Sequence, residues 1–132
     1  MKALAHLTVG DISGTIATCY CGKLLADYGA RVFNFEPDQG FITRRIKPFI
    51  PDTEQSAMHG YLNTNKMSVT GATPSDWEHV DLILYDQTIT AIDEKKLTTD
   101  TSAISWFGKP GPYAQFKGSD AMIQSLIGQL RG

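Results

Sequence analysis

This 132-residue chain has little of several things, and each shortage removes a class of function. It contains only two cysteines, Cys19 and Cys21. Two positions apart on a helix they point about 200° away from each other, so they cannot bridge without distorting the backbone. They read as small reduced core or boundary residues of a cytoplasmic protein. No apolar run approaches the ~18 residues of a membrane span. The opening Met1-Lys2-Ala3-Leu4-Ala5-His6 lacks the apolar centre and cleavage site of a signal peptide. There is no excess of positive charge: 12 Lys and Arg stand against 14 Asp and Glu, a formal net charge of −2. Nucleic acid and anionic membranes are therefore not expected partners.

Familiar site signatures are missing too. Gly10, Gly14 and Gly22 do not form the G-x-G-x-x-G of dinucleotide folds, although Glu36 ends the second expected strand, where a ribose-binding acid often stands. There is no G-x-x-x-x-G-K-[ST] phosphate loop and no G-x-S-x-G nucleophile elbow. His6, His59 and His79 are too scattered for metal-ligand spacing, and no metal site is expected.

What remains is alternating strand and helix. Hydrophobic residues make up 42% of the chain, enough for the core of one domain. Residues 4–9 form an apolar run consistent with a buried strand. Over residues 15–28, Ile16, Tyr20, Leu24 and Leu25 recur at helical spacing, flanked by Ala17 and Cys21, and predict a helix with that stripe as its apolar face. Ser13 or Thr15 suits its start, and Gly29 its left-handed end. Residues 31–35 read as a strand that Glu36-Pro37 terminates. Strand, helix, strand in this span is a βαβ unit, a right-handed crossover between parallel strands.

Residues 37–62 read as a long irregular segment with Pro37, Gly40, Pro48 and Pro51 among Arg44, Arg45 and Lys47. Such loops are usually functional. Further strands are expected at 66–70, 80–85 and 102–106, with a helical turn at 75–79, a short helix at 88–96 and a capped helix at 119–130. The predicted fold is α/β, a Rossmann-like parallel sheet with flanking helices in a single domain spanning residues 1–132.

Three segments stand out in order and spacing: Leu24 to Pro37, reading LLADYGARVFNFEP; Asn63-Thr64-Asn65-Lys66-Met67-Ser68-Val69; and Ser105 to Tyr113, reading SWFGKPGPY, before Gly118-Ser119-Asp120. Together they resemble the class III CoA-transferase family, also called CaiB/BaiF. The resemblance implies a Rossmann-like large domain that binds coenzyme A, with the chain as its N-terminal part. It also implies two-domain chains that interlock in pairs, so a homo-oligomer, or the C-terminal portion of the same protein, is the expected partner. Family transferases move CoA between carboxylic acids through an aspartate nucleophile, which splits one exchange into covalent steps. No residue here matches that aspartate, so no catalytic residue is assigned and the domain is expected to be inactive alone.

By motif position, Ala17, Thr18, Pro37, Arg44, Ser105 and Phe107 are expected nearest the path of acyl-CoA. Arg44 or Arg45 is the best basic partner for its phosphates, because guanidinium forks suit phosphate oxygens. Two family motifs depart. Ala-Gly-Pro at the first helix start is Ala17-Thr18-Cys19, and the segment after the fourth strand, Asn-x-x-Pro-Gly in the family, falls within Asp86-Gln87-Thr88-Ile89-Thr90. The alternatives are a degenerate assembly domain of a larger or tandem enzyme, and an acyl-CoA racemase-related domain. The racemase branch's histidine is replaced by Ser119.

Overall fold

The computed structural model of the chain describes residues 2–86 and 98–129. Five parallel strands form one sheet in the order β3-β2-β1-β4-β5. They are β1 (Thr8–Asp11), β2 (Arg31–Glu36), β3 (Met67–Thr70), β4 (Leu82–Asp86) and β5 (Asp100–Ile104). The helices are α1 (Ile16–Asp27), α2 (Ala57–Leu62) and α3 (Asp120–Leu126), with 3-10 turns at Ile42–Arg45 and Pro74–His79. This is the α/β parallel sheet expected. The strand order reverses direction between β1 and β4, and open α/β sheets bind ligands outside the carboxyl ends of their strands at that point. The helix expected at 88–96 lies outside the described residues. Among the described residues no helix is long and apolar enough to cross a membrane.

The central strands β1 and β4 are buried on both faces, the edge strands β3 and β5 are largely exposed, and side chains sort by alternation. Val9, Val32 and Leu84, almost fully buried, face α1 with Ala26 and Ala30. Ile12, Ile83 and Tyr85 face the other way with Phe33, Phe35 and Trp77. Burying one such aliphatic side chain contributes about 1.5–3 kcal/mol. A third cluster of Cys19, Phe41 and Leu62 joins α1 to the segment after β2 and to α2.

Several expected boundaries move. The first strand begins at Thr8 rather than Leu4, because residues 2–7 turn back on themselves: Leu7 N–H donates to the Leu4 carbonyl, and Leu4 N–H to that of Tyr28. Leu4 and Leu7 still pack on the core, so the apolar run marked burial, not extension. The segment 37–62, expected to be irregular, contains the 3-10 turn at Ile42–Arg45 and α2, which Ser56 caps through the His59 N–H at 3.1 Å. Helix α3 ends at Leu126, earlier than the expected 119–130, and is capped by Ser119.

The larger correction concerns α1. Thr15 caps it and Gly29, at φ 107°, ends it, as the sequence predicts. Its face is largely reversed. Thr18, Cys19, Gly22 and Ala26 are buried, whereas Ile16, Tyr20 and Leu24 of the expected stripe are 44–48% exposed and Leu25 alone of that stripe packs on the core. Small residues let the helix axis approach the sheet, and most of the large apolar residues are left on the outside.

Candidate functional site

The turn joining β1 to α1 is built around Asp11. Its side chain is completely buried, and Oδ1 accepts the N–H groups of Ser13 and Gly14, each at 3.0 Å. Burial raises the Asp11 pKa against the pull of those N–H groups, and its Oδ2 has no hydrogen-bond partner among the described residues. Ser13 Oγ accepts the Asp86 N–H at 2.9 Å, tying the turn to the end of β4 across the switch point.

A cleft of about 480 Å³ opens above this turn. The first turn of α1 forms one edge through Thr15, Ile16 and Ala17. Ile42 and Ile46 supply an apolar side, and Ser105 and Trp106, just after β5, the opposite one. Asp86 and Asp120 place two carboxylates in its lining. A hollow of about 470 Å³ adjoins it, sharing Ile42 and lined by Phe35, Pro37, Gly40 and Arg45 among others. The two together run along the carboxyl edge of the sheet. The arrangement suits an elongated ligand with apolar and polar parts: a mostly apolar wall, a few placed polar groups and one helix start.

The segment under both hollows is held by Glu36, the last residue of β2. Arg44 grips its carboxylate in a fork, Nε to Oε2 at 2.7 Å and Nη2 to Oε1 at 2.6 Å. Ser68 Oγ donates to Oε1 at 2.6 Å and the Phe41 N–H to Oε2 at 2.9 Å. Burial alone would push this carboxyl up, but the Arg44, Ser68 and Phe41 donors together hold it at about 2.

Behind α1 lies a polar cluster built from the second sequence segment. Lys66 Nζ donates to the Cys19 carbonyl at 2.7 Å and to Asn63 Oδ1 at 3.0 Å. Asn63 Oδ1 also accepts from Asn34 Nδ2 at 2.9 Å. Asn65, at φ 64°, makes the left-handed turn that aims Lys66 inward. Burial pushes the Lys66 pKa down. It pushes the Cys19 thiol up to about 12. Cys19 is fully buried and Cys21 partly so, and both are free. A thiol reagent should therefore modify Cys21 slowly in the native protein and reach Cys19 only on unfolding. Two fast equivalents in native buffer would contradict this.

Of the expected site residues, Ala17 and Ser105 meet in the cleft, and Pro37 lines the adjoining hollow. Thr18 is fully buried; its N–H donates to the capping Thr15 Oγ1. Arg44 is committed to Glu36, with its side chain 45% exposed. Phe107 lies outside the lining of both hollows and packs with Tyr113 and Phe116, ring centroids 6.2 and 6.4 Å away. Sequence reasoning missed Ile42, Asp86, Trp106 and Asp120. Trp106 and Asp120 stood inside quoted motifs, where adjacency to Ser105 and Ser119 could have raised them.

The architecture and sequence both have known counterparts. The structure superposes on a CaiB/BaiF family protein from Brucella suis with a TM-score of 0.80 and 25% identity, covering 99% of this chain and 41% of that one. It also matches the fold of Rv3272 from M. tuberculosis, TM-score 0.76 at 21% identity, covering 99% of this chain and 42% of that one. The succinyl-CoA:mesaconate CoA-transferases of Haloarcula hispanica and Haloarcula marismortui are each 39% identical over 64 residues, 48% of this chain. That match spans 16% of the relatives' own length. The family model of CoA-transferase family III matches residues 4–71, from the approach to β1 through the end of β3. That stretch carries the turn at Asp11, the Glu36–Arg44 fork and the Lys66 cluster, and by it the chain belongs to CoA-transferase family III.

Proposed function

We propose that this domain binds coenzyme A or its thioesters along the carboxyl edge of the sheet, and that it serves a reaction moving CoA between carboxylic acids. The observation that carries the reading is the cleft at the β1–β4 switch point, edged by the first turn of α1 and adjoining the hollow at Arg45 across Ile42. The apolar wall suits a pantetheine-like chain. Arg45 gives one Nη to the Gln39 carbonyl at 2.8 Å and lines the hollow, so it is the better placed arginine for a phosphate. Arg44 is neutralised by the Glu36 carboxylate it grips and is not available for that role. Ala17, Pro37 and Ser105 are the proposed contacts; Thr18 and Phe107 support them from behind and beside. The domain supplies binding, and the nucleophilic carboxylate of the transfer is proposed to come from other residues, which leaves this domain inactive alone. Its two free thiols support a cytoplasmic setting.

Calorimetric titration of the 132-residue chain with coenzyme A tests the reading. Saturable binding below about 1 mM is expected, and Arg45→Ala should weaken it about tenfold, the worth of a charge-assisted hydrogen bond. Absence of binding at millimolar coenzyme A would overturn it. A second reading, a non-catalytic assembly domain, is favoured by the exposed stripe of Ile16, Tyr20, Leu24 and Tyr28. Such a stripe is large for a face left in water. No coenzyme A binding, together with self-association that Tyr20→Lys abolishes, would select it.

A further inference from the structure

The Lys66 cluster is a partly buried polar feature that the ligand reading leaves without a role. We propose that Lys66 is a positioning residue for the cleft: its ammonium grips the Cys19 carbonyl and thereby sets the first turn of α1 against the ligand. The proposal rests on the reading of the cleft as a coenzyme A site.

The geometry supports it from three sides. First, the contact is at the right place. Thr15, Ile16 and Ala17 line the cleft, and Cys19 follows within one turn of the helix. Second, the seat is made for the ammonium. A Cβ on Gly22 would stand 3.1 Å from Lys66 Nζ and 3.3 Å from its Cε, so the glycine leaves the space that the lysine occupies. Third, the grip is anchored. Asn63 Oδ1 receives Lys66 Nζ and Asn34 Nδ2 together, which ties the lysine to β2 in the sheet. Asp11, within electrostatic reach of Lys66, holds the turn that leads into α1. The helix start is thus held by a buried carboxylate at the end of β1 and a partly buried ammonium just before β3. A hydrogen bond from a buried charge is among the stronger ones.

The test uses the whole chain and two variants. Lys66→Met removes the ammonium and keeps the aliphatic stem. Gly22→Ala keeps the charge but crowds its seat, and a glycine-to-alanine change inside a helix favours the helix itself. Amide hydrogen exchange of the unliganded protein should rise about tenfold or more in the first two turns of α1 in Lys66→Met. It should change less in Gly22→Ala, where the end of the lysine must give by only a few tenths of an ångström. The amides of β1 and β4 should stay at wild-type rates. In Lys66→Met coenzyme A affinity should fall about tenfold, and adding Gly22→Ala should not deepen that loss, because both act on one contact. Unchanged exchange in α1 overturns the proposal whatever the ligand does. So does wild-type coenzyme A affinity in Lys66→Met. Failure of the wild-type chain to bind coenzyme A overturns the reading of the cleft instead, and the exchange data then decide the positioning role. Additive losses in the double variant would overturn the shared-contact argument.

Discussion

Replacing Glu36 by alanine should destabilise the domain by about 3 kcal/mol, the low end for breaking a buried ion pair. The low end applies because Arg44 is 45% exposed and can turn to water once released. The Phe41 N–H cannot: that residue is 2% exposed and its donor would be left buried and unpaired. The same carboxylate makes stability depend on pH. Its pKa falls from the ordinary 4.5 to about 2 on folding. A depressed carboxylate contributes fully above its unfolded pKa, and the contribution is lost as pH falls through the folded value. The loss therefore runs from about 4.5 down to about 2, and amounts to about 3 kcal/mol at 1.36 kcal/mol per pH unit. Urea unfolding of wild type and Glu36→Gln across that window reads it directly. The wild-type curve should fall toward the variant's as acid is added. Parallel curves would show that Glu36 does not carry the acid sensitivity.

Gly14→Ala should cost as much by a different route, about 2–5 kcal/mol. Gly14 sits at φ +64°, where an alanine costs about 1–2 kcal/mol. An added Cβ would also stand 2.0 Å from the ring of Phe41, deep inside contact distance. Phe41 is one of the largest fully buried side chains and joins Cys19 and Leu62 beneath the cleft. Forcing it aside adds an overpacking cost of about 1–3 kcal/mol. The clash predicts its own relief. Phe41→Ala alone leaves a cavity, but in Phe41→Ala with Gly14→Ala the new methyl has room. The double variant should be less damaged than the sum of the two by about 1–2 kcal/mol. Strict additivity of the denaturation midpoints would rule out the steric account. The coupling matters for function because Gly14 lies in the turn that Asp11 shapes, so the floor of the cleft and the Glu36 network share one buried ring.

Much of this fold is legible in the amino-acid sequence. Apolar runs of strand length, Thr15 and Ser119 at helix starts and Gly29 at a helix end report local backbone preferences, and those preferences hold in the fold. The three family segments were legible because they are local strings. Part of their meaning is now structural. Asn63, Asn65 and Lys66 form a turn and a buried grip on α1, and Asp27 in the first segment accepts from Lys23 at 2.8 Å and from Asn65 at 3.2 Å. The site was legible only in part. Ala17, Ser105 and Pro37 lie along the two hollows, but Thr18 turns inward and Arg44 is taken by a carboxylate eight residues away.

The sequence by itself determined the alternation of strand and helix, the caps, the family and the parallel sheet. These depend on neighbours within a few residues or on the handedness of a crossover. Tertiary structure decided which face of α1 turns inward, whether an arginine stays available, and which residues meet at the sheet's edge. The reason is distance. A periodicity rule places the largest apolar stripe inside, but a helix lying close on a sheet with a lysine seated beneath it needs small residues there. That requirement comes above all from Asn63 and Lys66, which are far from α1 in the chain and beside it in space.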